Sequence, residues 1–227
     1  MLVEFVNVAY KINSTSVLDD VTFTIDKGEF FYLKGPNAVG KSTILKMIYM
    51  QRKPTSGTVL VGDFNSATIK RRHIPVLRRQ IGIIFQDFWL LDDRSVFENV
   101  AFALRVQGVS SGDIRRRVIK ALYEVGLSEK QDKLPVELSG GDKQRVAIAR
   151  AIVNDPFILL ADEPTANLSV EIAGEIMSIL EDINRKGTAV LMATHDDEIV
   201  KNFKHKTIFL DQGRITKIID PFQKEPL

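Results

Sequence analysis

Short apolar runs recur along the chain and predict the strands of a central sheet. They are FFYL at 30–33, IGIIF at 81–85, FILLA at 157–161, AVLMA at 189–193 and TIFL at 207–210. Amphipathic stretches separate several of them. Strands that alternate with helices are typical of an α/β fold with a mainly parallel sheet.

The N-terminal stretch has a different pattern, with apolar and polar residues alternating in steps of two. LVEFVNVAY at 2–10 and VLDDVTFTI at 17–25 both alternate in this way, and KINSTS at 11–16 joins them. Period-two alternation predicts strands with one buried face. We therefore expect an antiparallel β layer at the N-terminus.

The segment from 87 to 135 has no clear buried strand and is predicted to be helical. In DIRRRVIKALYEV at 113–125, apolar residues recur every three or four positions and form one helix face: Ile114, Val118, Leu122 and Val125. We interpret residues 87–154 as a helical lobe inserted into a core of residues 1–86 and 155–227. The whole chain, 1–227, is then one domain.

The composition of the chain argues against disulfide bonds and against metal sites built from cysteine or histidine. Cysteine is absent, and His73, His195 and His205 lack the spacing of metal ligands. We expect a cytoplasmic protein, because no disulfide can form and no signal peptide is visible. No apolar run approaches the roughly 20 residues that span a bilayer, so another molecule would have to hold the protein at a membrane. The formal net charge of +2 gives no reason to expect direct nucleic-acid binding, and we interpret the basic runs KRRH at 70–73 and RRR at 115–117 as solvated faces.

The segment GPNAVGKS at 35–42 matches the phosphate-loop pattern G-x-x-x-x-G-K-[ST]. It follows the predicted strand FFYL and precedes the helix-like TILKMIYM, which is the context that the motif requires. Glycines let the backbone approach a polyphosphate, and the helix N-terminus favours its negative charge. Lys41 would contact the terminal phosphates, and the Ser42 hydroxyl would be a ligand for Mg²⁺.

Polar side chains follow the other predicted strands. Asp162 and Glu163 end FILLADE, His195 follows AVLMAT, and Gln86 follows IGIIF. In a parallel sheet such positions meet at the carboxyl edge. Asp162 would hold Mg²⁺ through water, and Glu163 would take a proton from the attacking water or orient it. Gln86 could reach either Mg²⁺ or that water. His195 is either a γ-phosphate partner or an ordinary surface or capped residue.

A second glycine-rich segment, LSGGDKQR at 138–145, precedes another amphipathic run. Ser139 is placed to cap a helix, whose start would be another anion site. Alone, this segment favours an ordinary helix start with a flexible glycine entry over an anion site.

Together these segments resemble the nucleotide-binding subunits of the ATP-binding-cassette (ABC) superfamily, which are P-loop NTPases. They follow that family's order: Walker A GPNAVGKST, Q-loop FQD, signature LSGGDKQR, Walker B FILLADE, D-loop TANLS and H-loop THD. The resemblance implies ATP and Mg²⁺ as cofactors and a head-to-tail homodimer, in which each signature contacts the ATP on the partner's Walker A loop.

The resemblance also implies roles for individual residues. The catalytic residues would be Glu163, His195 and Gln86, and the Mg²⁺ ligands Ser42, Gln86 and Asp162. Ser42 would also bind nucleotide, and the ring of Tyr10 would stack on adenine. The full set of nucleotide-binding positions would be Tyr10, Gly35, Pro36, Asn37, Ala38, Val39, Gly40, Lys41, Ser42, Thr43, Ser139, Gly140 and Gly141.

Within the superfamily, LRRQIGIIFQD and LLDDRSVFENV resemble the FtsE branch of cell-division ATPases. This implies a membrane partner similar to FtsX and a peripheral position on the cytoplasmic face of the bacterial inner membrane. The output would be regulation of cell-wall hydrolases. Alternatives are the ATPase of a lipoprotein-releasing or macrolide-efflux transporter, and a module that uses ATP as a clamp with negligible hydrolysis.

Three segments depart from the superfamily pattern: NAV at 37–39, IYMQRKP at 48–54 and ANLS at 166–169. Ser169 replaces an aspartate that helps to couple the two sites, which leaves coupling and turnover rate open. Since Lys41, Asp162, Glu163 and His195 are present, we expect hydrolysis. After the Q-loop, Phe88, Trp89 and Leu90 either contact a partner or pack inside the helical lobe.

Overall fold

A computed structural model describes residues 1–223 of the chain, so residues 224–227 of the predicted core lie outside the described part. The strands in this part are β1 (Val3–Ile12), β2 (Thr15–Ile25), β3 (Phe30–Lys34), β4 (Ser56–Val61), β5 (Phe64–Asn65), β6 (Ile81–Ile84), β7 (Ile158–Asp162), β8 (Ala189–Thr194), β9 (Lys206–Asp211) and β10 (Arg214–Ile219). The α-helices are α1 (Lys41–Ile48), α2 (Ile74–Arg78), α3 (Val96–Arg105), α4 (Ser111–Glu124), α5 (Gly140–Ile152), α6 (Val170–Arg185) and α7 (Asp197–Asn202). Short 3₁₀ helices cover Arg71–His73, Ser128–Lys130 and Pro135–Glu137.

The chain divides into two compact units. The first contains residues 1–78 and the chain from 189 onward, and the second contains residues 79–188. This division differs from the predicted one, because β6, β7 and α6 group with the helices. These elements group with the helices because α5, a helix of the second unit, packs against both β6 and α6. The division into a core and a helical lobe stays a prediction.

The first unit holds the expected antiparallel layer, with strand order β2-β1-β4-β5. Val8 lies opposite Val21, and the rings of Phe5 and Phe23 stack 4.6 Å apart in its buried face. The predicted connection at 11–16 is shorter in the structure, because β1 continues to Ile12 and β2 begins at Thr15. The side chains at this hairpin end are exposed on both faces, so their polarity does not mark a loop.

The first unit also holds β3 in parallel contact with β8 on one side and β9 on the other. All six residues of β8 are buried, as its unbroken apolar run predicts. The strand β10 pairs antiparallel with β9 and was not predicted. Gln212 and Gly213 connect the two strands with φ values of 44° and 76°, which suits a tight hairpin turn.

In the second unit, β6 and β7 run parallel, and α3, α4 and α5 pack together. Along α4 the predicted face is buried, including Ile114, Val118 and Leu122. The α/β fold with parallel strands and an antiparallel layer is therefore confirmed. Among residues 1–223, no helix has the length and hydropathy to cross a bilayer.

Candidate active site

The phosphate loop lies between β3 and α1 in the first unit, and two of its glycines cannot be replaced without strain. Gly40 has a φ of 113°, and a Cβ there would lie 2.7 Å from a Leu18 methyl group. A Cβ on Gly35 would collide with the carbonyl oxygen of Leu210. The tight loop leaves Pro36, Asn37 and Ala38 exposed, which makes them accessible to a ligand.

Lys41 is buried, with 6% of its surface exposed, and its ammonium group is held against the loop backbone. The Nζ donates to the carbonyl oxygens of Gly35 at 2.7 Å and Pro36 at 3.0 Å. A phosphate oxygen is a stronger partner for an ammonium group than a neutral carbonyl. This position therefore suits an anion bound in the loop.

The first turn of α1 supplies further groups that suit phosphate and a hard cation. Gly40 caps the helix without a side-chain hydrogen bond, so the first backbone N–H groups depend on other partners. Ser42 and Thr43 follow Lys41 in this turn and are half-buried. Their hydroxyl oxygens are the type of donor that Mg²⁺ accepts.

Tyr10 lies on the strand pair that contacts the phosphate loop. It is half-buried and lies opposite Leu18 in the β1–β2 register. Leu18 is the residue whose methyl group lies against Gly40. The fold thus places an aromatic ring one residue pair from the phosphate loop, and its stacking on adenine stays a prediction.

His195 lies at the same sheet edge as the start of the phosphate loop. Thr194 is paired with Lys34 in the parallel β3–β8 register, so His195 and Gly35 each follow the last paired residue. His195, Gly35 and Pro36 line a shared cleft of about 440 Å³. Next to His195, Asp196 caps α7 by accepting from the backbone of Glu198 at 2.8 Å and Ile199 at 3.1 Å.

In the second unit, the ends of β6 and β7 bring Gln86 and the two carboxylates to one edge. Ile84 pairs with Ala161, so Gln86 and Glu163 each lie two residues beyond this pair. Asp162 and Glu163 are half-buried, and Gln86 is exposed. Glu163 has a φ of 50°, a strained conformation that occurs often at functional positions.

The signature segment begins α5 with reciprocal capping. The Ser139 hydroxyl accepts from the backbone of Asp142 at 3.2 Å and donates to its carboxylate at 2.7 Å. Burial raises the pKa of Asp142, but hydrogen bonds from Lys130 and Ser139 outweigh it and hold this pKa below its usual value. Ser139 and Gly140 remain exposed, which leaves them accessible to a second molecule.

The residue that departs from the superfamily pattern, Ser169, has a clear structural role. It is the N-cap of α6, and its hydroxyl accepts from the backbone of Ile172. Serine and aspartate are comparably good N-caps. The substitution therefore preserves the start of α6.

Capping predicts how variants of Ser169 will behave. Ser169→Ala should lower the free energy of unfolding by about 1 kcal/mol and the melting temperature by about 2–4 °C. Ser169→Asp should melt within a degree or so of the wild type. Equal melting of all three proteins would contradict the capping role. Since Ser169→Asp keeps the cap, a change in its ATP turnover would report on something other than folding.

The segment after Gln86 is held by two residues that the sequence reasoning missed. Phe88 and Trp89 have φ values of 58° and 47°, and the Arg150 guanidinium donates to both of their carbonyl oxygens at 2.6 Å. Burial lowers the pKa of Arg150. The sequence offered one signal for a special role of Arg150, because this charged residue interrupts the apolar run AIARAIV at 147–153.

The second missed residue is Asn99, which is fully buried in α3. Its Oδ1 accepts from the backbone of Leu91 at 2.7 Å, and its Nδ2 donates to the carbonyl oxygens of Leu91, Arg94 and Ser95. This network fixes the loop between β6 and α3. Trp89 remains 64% exposed and stacks on Phe85, so the loop presents an aromatic ring on its surface.

A glycine-rich phosphate loop follows a parallel strand and carries a lysine, and acids lie at the ends of further strands. These features define a P-loop ATPase. The ABC transporter family model matches residues 18–166, and the chain belongs to this family. It is an ATP-binding ATPase similar to the cell-division protein FtsE, as the sequence predicts.

Curated relatives cover nearly the whole chain. FtsE of Mycobacterium tuberculosis is 50% identical over 92% of this chain and 90% of its own. FtsE of Bacillus subtilis is 48% identical over 90% of each chain, and FtsE of Escherichia coli K12 is 45% identical over 93% of this chain and 95% of its own.

Solved structures with the same fold include ABC cassettes. The dimeric MJ0796 cassette in a post-hydrolysis state with ADP and phosphate is 33% identical, with a TM-score of 0.86 over 96% of this chain and 98% of its own. The cbiO1 cassette of Clostridium perfringens is also 33% identical, with a TM-score of 0.90 over 97% of this chain and 88% of its own.

Proposed function

We propose that the chain is the ATPase subunit of a membrane complex similar to FtsEX, in which ATP-driven closure of a homodimer signals across the membrane for cell division. The observation that carries the proposal is the 45–50% identity to FtsE proteins of different bacteria over at least 90% of this chain. The output would be regulation of extracytoplasmic cell-wall hydrolases. The chain itself would lie on the cytoplasmic face of the inner membrane, held by its partner.

The homodimer would use both glycine-rich segments of each chain. The phosphate loop of one copy binds ATP through the residues from Gly35 to Thr43, and Tyr10 stacks on adenine. The other copy contributes Ser139, Gly140 and Gly141 to the γ-phosphate. The exposure of Ser139 and Gly140, and the dimeric state of the MJ0796 relative with ADP and phosphate, support this arrangement.

Hydrolysis would depend on the groups at the strand ends. Glu163 accepts a proton from the attacking water, and His195 hydrogen-bonds the γ-phosphate. Mg²⁺ supplies charge neutralisation of the phosphates when bound. Its protein ligands would be Ser42, Gln86 and Asp162, and these hydroxyl, amide and carboxylate oxygens are the hard donors that fit Mg²⁺.

The membrane partner would contact the segment after Gln86. Trp89 is exposed while its backbone is fixed by Arg150, so the aromatic ring is presented on a rigid support. Exposed aromatic residues on such supports are common anchors at protein interfaces. Residues Phe88 and Leu90 beside it are half-buried and would support the ring.

Copurification from a membrane extract tests the proposal. We expect a partner similar to FtsX, with four spans and an extracytoplasmic loop, and steady-state phosphate release that changes when this partner is reconstituted. Trp89→Ala should reduce partner binding with little loss of basal turnover. If Trp89→Ala left partner binding intact and instead destabilised the isolated chain, Trp89 would be a packing residue.

The alternative is the ATPase of a lipoprotein-releasing or macrolide-efflux transporter, and the similarity to the MJ0796 transporter cassette supports it. Recovery of a substrate-handling permease in the same copurification would favour this alternative. Phosphate release that stays negligible with and without any partner would favour an ATP clamp.

A further inference from the structure

One stretch of the chain is strongly basic although the whole protein is nearly neutral. Between Glu29 and Asp87 there are ten lysines and arginines and a single carboxylate, Asp63. Two of these cations have other roles, since Lys34 pairs with Asp197 and Lys41 lies in the phosphate loop. The positive charge of the other lysines and arginines in this stretch has no role in the site described above.

Six of these cations form what we call the basic surface: Lys46, Arg52, Lys53, Lys70, Arg71 and Arg72. All six are exposed. Within residues 1–223, none of the six is in ion-pair contact with a carboxylate. Arg72 Nε donates a hydrogen bond to Nε2 of His73 at 3.3 Å, and His73 is also exposed.

Arg78 brings the two parts of the basic surface together. Its guanidinium donates to the carbonyl oxygens of Tyr49 at 2.9 Å and Met50 at 3.3 Å, close to Arg52 and Lys53. The 3₁₀ turn Arg71–His73 leads directly into α2, which ends at Arg78. At 1.5 Å per residue, His73 and Arg78 are separated by about 8 Å along the helix. The cations before and after the antiparallel strands β4 and β5 therefore share one surface.

The other basic run of the chain is different, because carboxylates pair with two of its three arginines and with the lysine that follows on the same helix. In the second unit, Arg116 pairs with Asp113 at 2.9 Å, and Arg117 pairs with Asp155 at 3.2 Å. Lys120 lies 3.9 Å from both Asp155 and Glu124. Our interpretation of the run at 115–117 as an ordinary solvated face fits these contacts, whereas the same interpretation of the run at 70–73 leaves its charge unexplained.

We propose that the basic surface binds the anionic headgroups of a lipid bilayer directly, without the membrane partner. Clusters of four to eight lysines and arginines are typical of segments that bind anionic lipid surfaces. Val76 lies within the cluster and is 41% exposed, so an apolar side chain is available to enter the headgroup region. This contact goes beyond the proposed partner, since it would orient the ATPase on the membrane before docking.

The side chains favour a lipid surface over other polyanions. Single-stranded nucleic acids need exposed aromatic rings for base stacking, and Tyr49, the aromatic residue within 46–53 and 67–79, is buried. A specific acidic peptide needs fixed hydrogen-bond partners, whereas these are long, exposed cations that no carboxylate in the described part of the chain holds in place. A charged bilayer needs only their summed positive potential.

Vesicle cosedimentation of the full-length chain tests the proposal, with Mg·ATP present to occupy the phosphate loop. The vesicles contain phosphatidylglycerol with phosphatidylcholine, or phosphatidylcholine alone. The test variant is Lys70→Gln, Arg71→Gln and Arg72→Gln together. The matched control removes the same charge from residues that pair with carboxylates, through Arg116→Gln, Arg117→Gln and Lys120→Gln. Melting temperature and ATP turnover show that both variants fold.

We expect salt-sensitive binding of the wild type to the anionic vesicles and none to the neutral ones. The test variant should lose on the order of 100-fold in partition coefficient, and the control variant less than about 5-fold. Soluble glycerol phosphate at the same phosphate concentration should not compete, since single headgroups lack the surface potential.

Several results would overturn the proposal. Among them are no binding of the wild type to anionic vesicles, or equal losses in the two triple variants. Competition by millimolar glycerol phosphate would indicate a site for a single phosphate instead. Tight binding to an oligonucleotide, lost in the test variant and with no vesicle binding, would assign the surface to nucleic acid.

Discussion

Glu163→Gln should stop steady-state ATP hydrolysis while ATP stays bound. The amide has the shape of the carboxylate but cannot accept the proton of the attacking water, so turnover should fall by about 10²- to 10⁴-fold. Glu163 lies in a strained turn after β7, and glutamine can keep this backbone conformation. Because ATP is no longer consumed, the ATP-bound dimer should accumulate.

Phosphate release and size-exclusion chromatography with Mg·ATP measure both effects. The control is Asp63→Asn, which removes an exposed carboxylate from the turn between β4 and β5. We expect the control to hydrolyse ATP like the wild type and to elute as the wild type does. Unchanged turnover in Glu163→Gln would show that another group is the base.

Lys41→Ala and Ser139→Arg should each abolish hydrolysis, for different reasons. Lys41→Ala removes the buried ammonium group that contacts the loop backbone, so the chain should bind ATP at least about tenfold more weakly. Ser139→Arg places a large side chain on the exposed start of α5, where it would block a second copy. The Ser139→Arg chain should therefore bind ATP with its own phosphate loop normally.

Fluorescence titration with a labelled ATP and steady-state phosphate release separate these two effects. Ser178→Arg, on an exposed position of α6, is a suitable control for the introduced arginine. If Ser139→Arg weakened ATP binding by the isolated chain as strongly as Lys41→Ala, the signature would belong to the same chain's site.

The strands that are buried on both faces could be predicted from the sequence, because burial restricts their residues to apolar types. The runs that became β3, β7 and β8 are apolar throughout, because strands covered on both faces need no polar residue. The strands β4, β5 and β10 were not predicted. β4 follows Pro54 and contains Gly57, and both residue types are depleted in strands. β5 has only two residues, and β10 lies at a sheet edge with five of its six residues exposed, so their sequences resemble loops.

Sequence motifs identified the candidate ligands of ATP but not the residues that support them. The phosphate loop and the acids are local patterns, and their chemistry can be recognised from spacing. Arg150 donates to the carbonyl oxygens of Phe88 and Trp89, about sixty positions away. Its place in an apolar run marks it as unusual, but no local pattern indicates its partners. The role of Asn99 is equally invisible, because a buried asparagine and a surface asparagine have the same sequence signal.

We propose that each chain carries two half-sites, and that a second copy of the chain completes them. Mixing the Lys41→Ala chain with the Ser139→Arg chain tests it directly. In a mixed dimer, the phosphate loop of the Ser139→Arg chain faces the intact signature of the Lys41→Ala chain. Steady-state phosphate release should then rise from background to about a quarter of the wild-type rate, because half of the dimers are mixed and each has one intact site. A mixture as inactive as its two components, despite forming mixed dimers, would contradict the shared site.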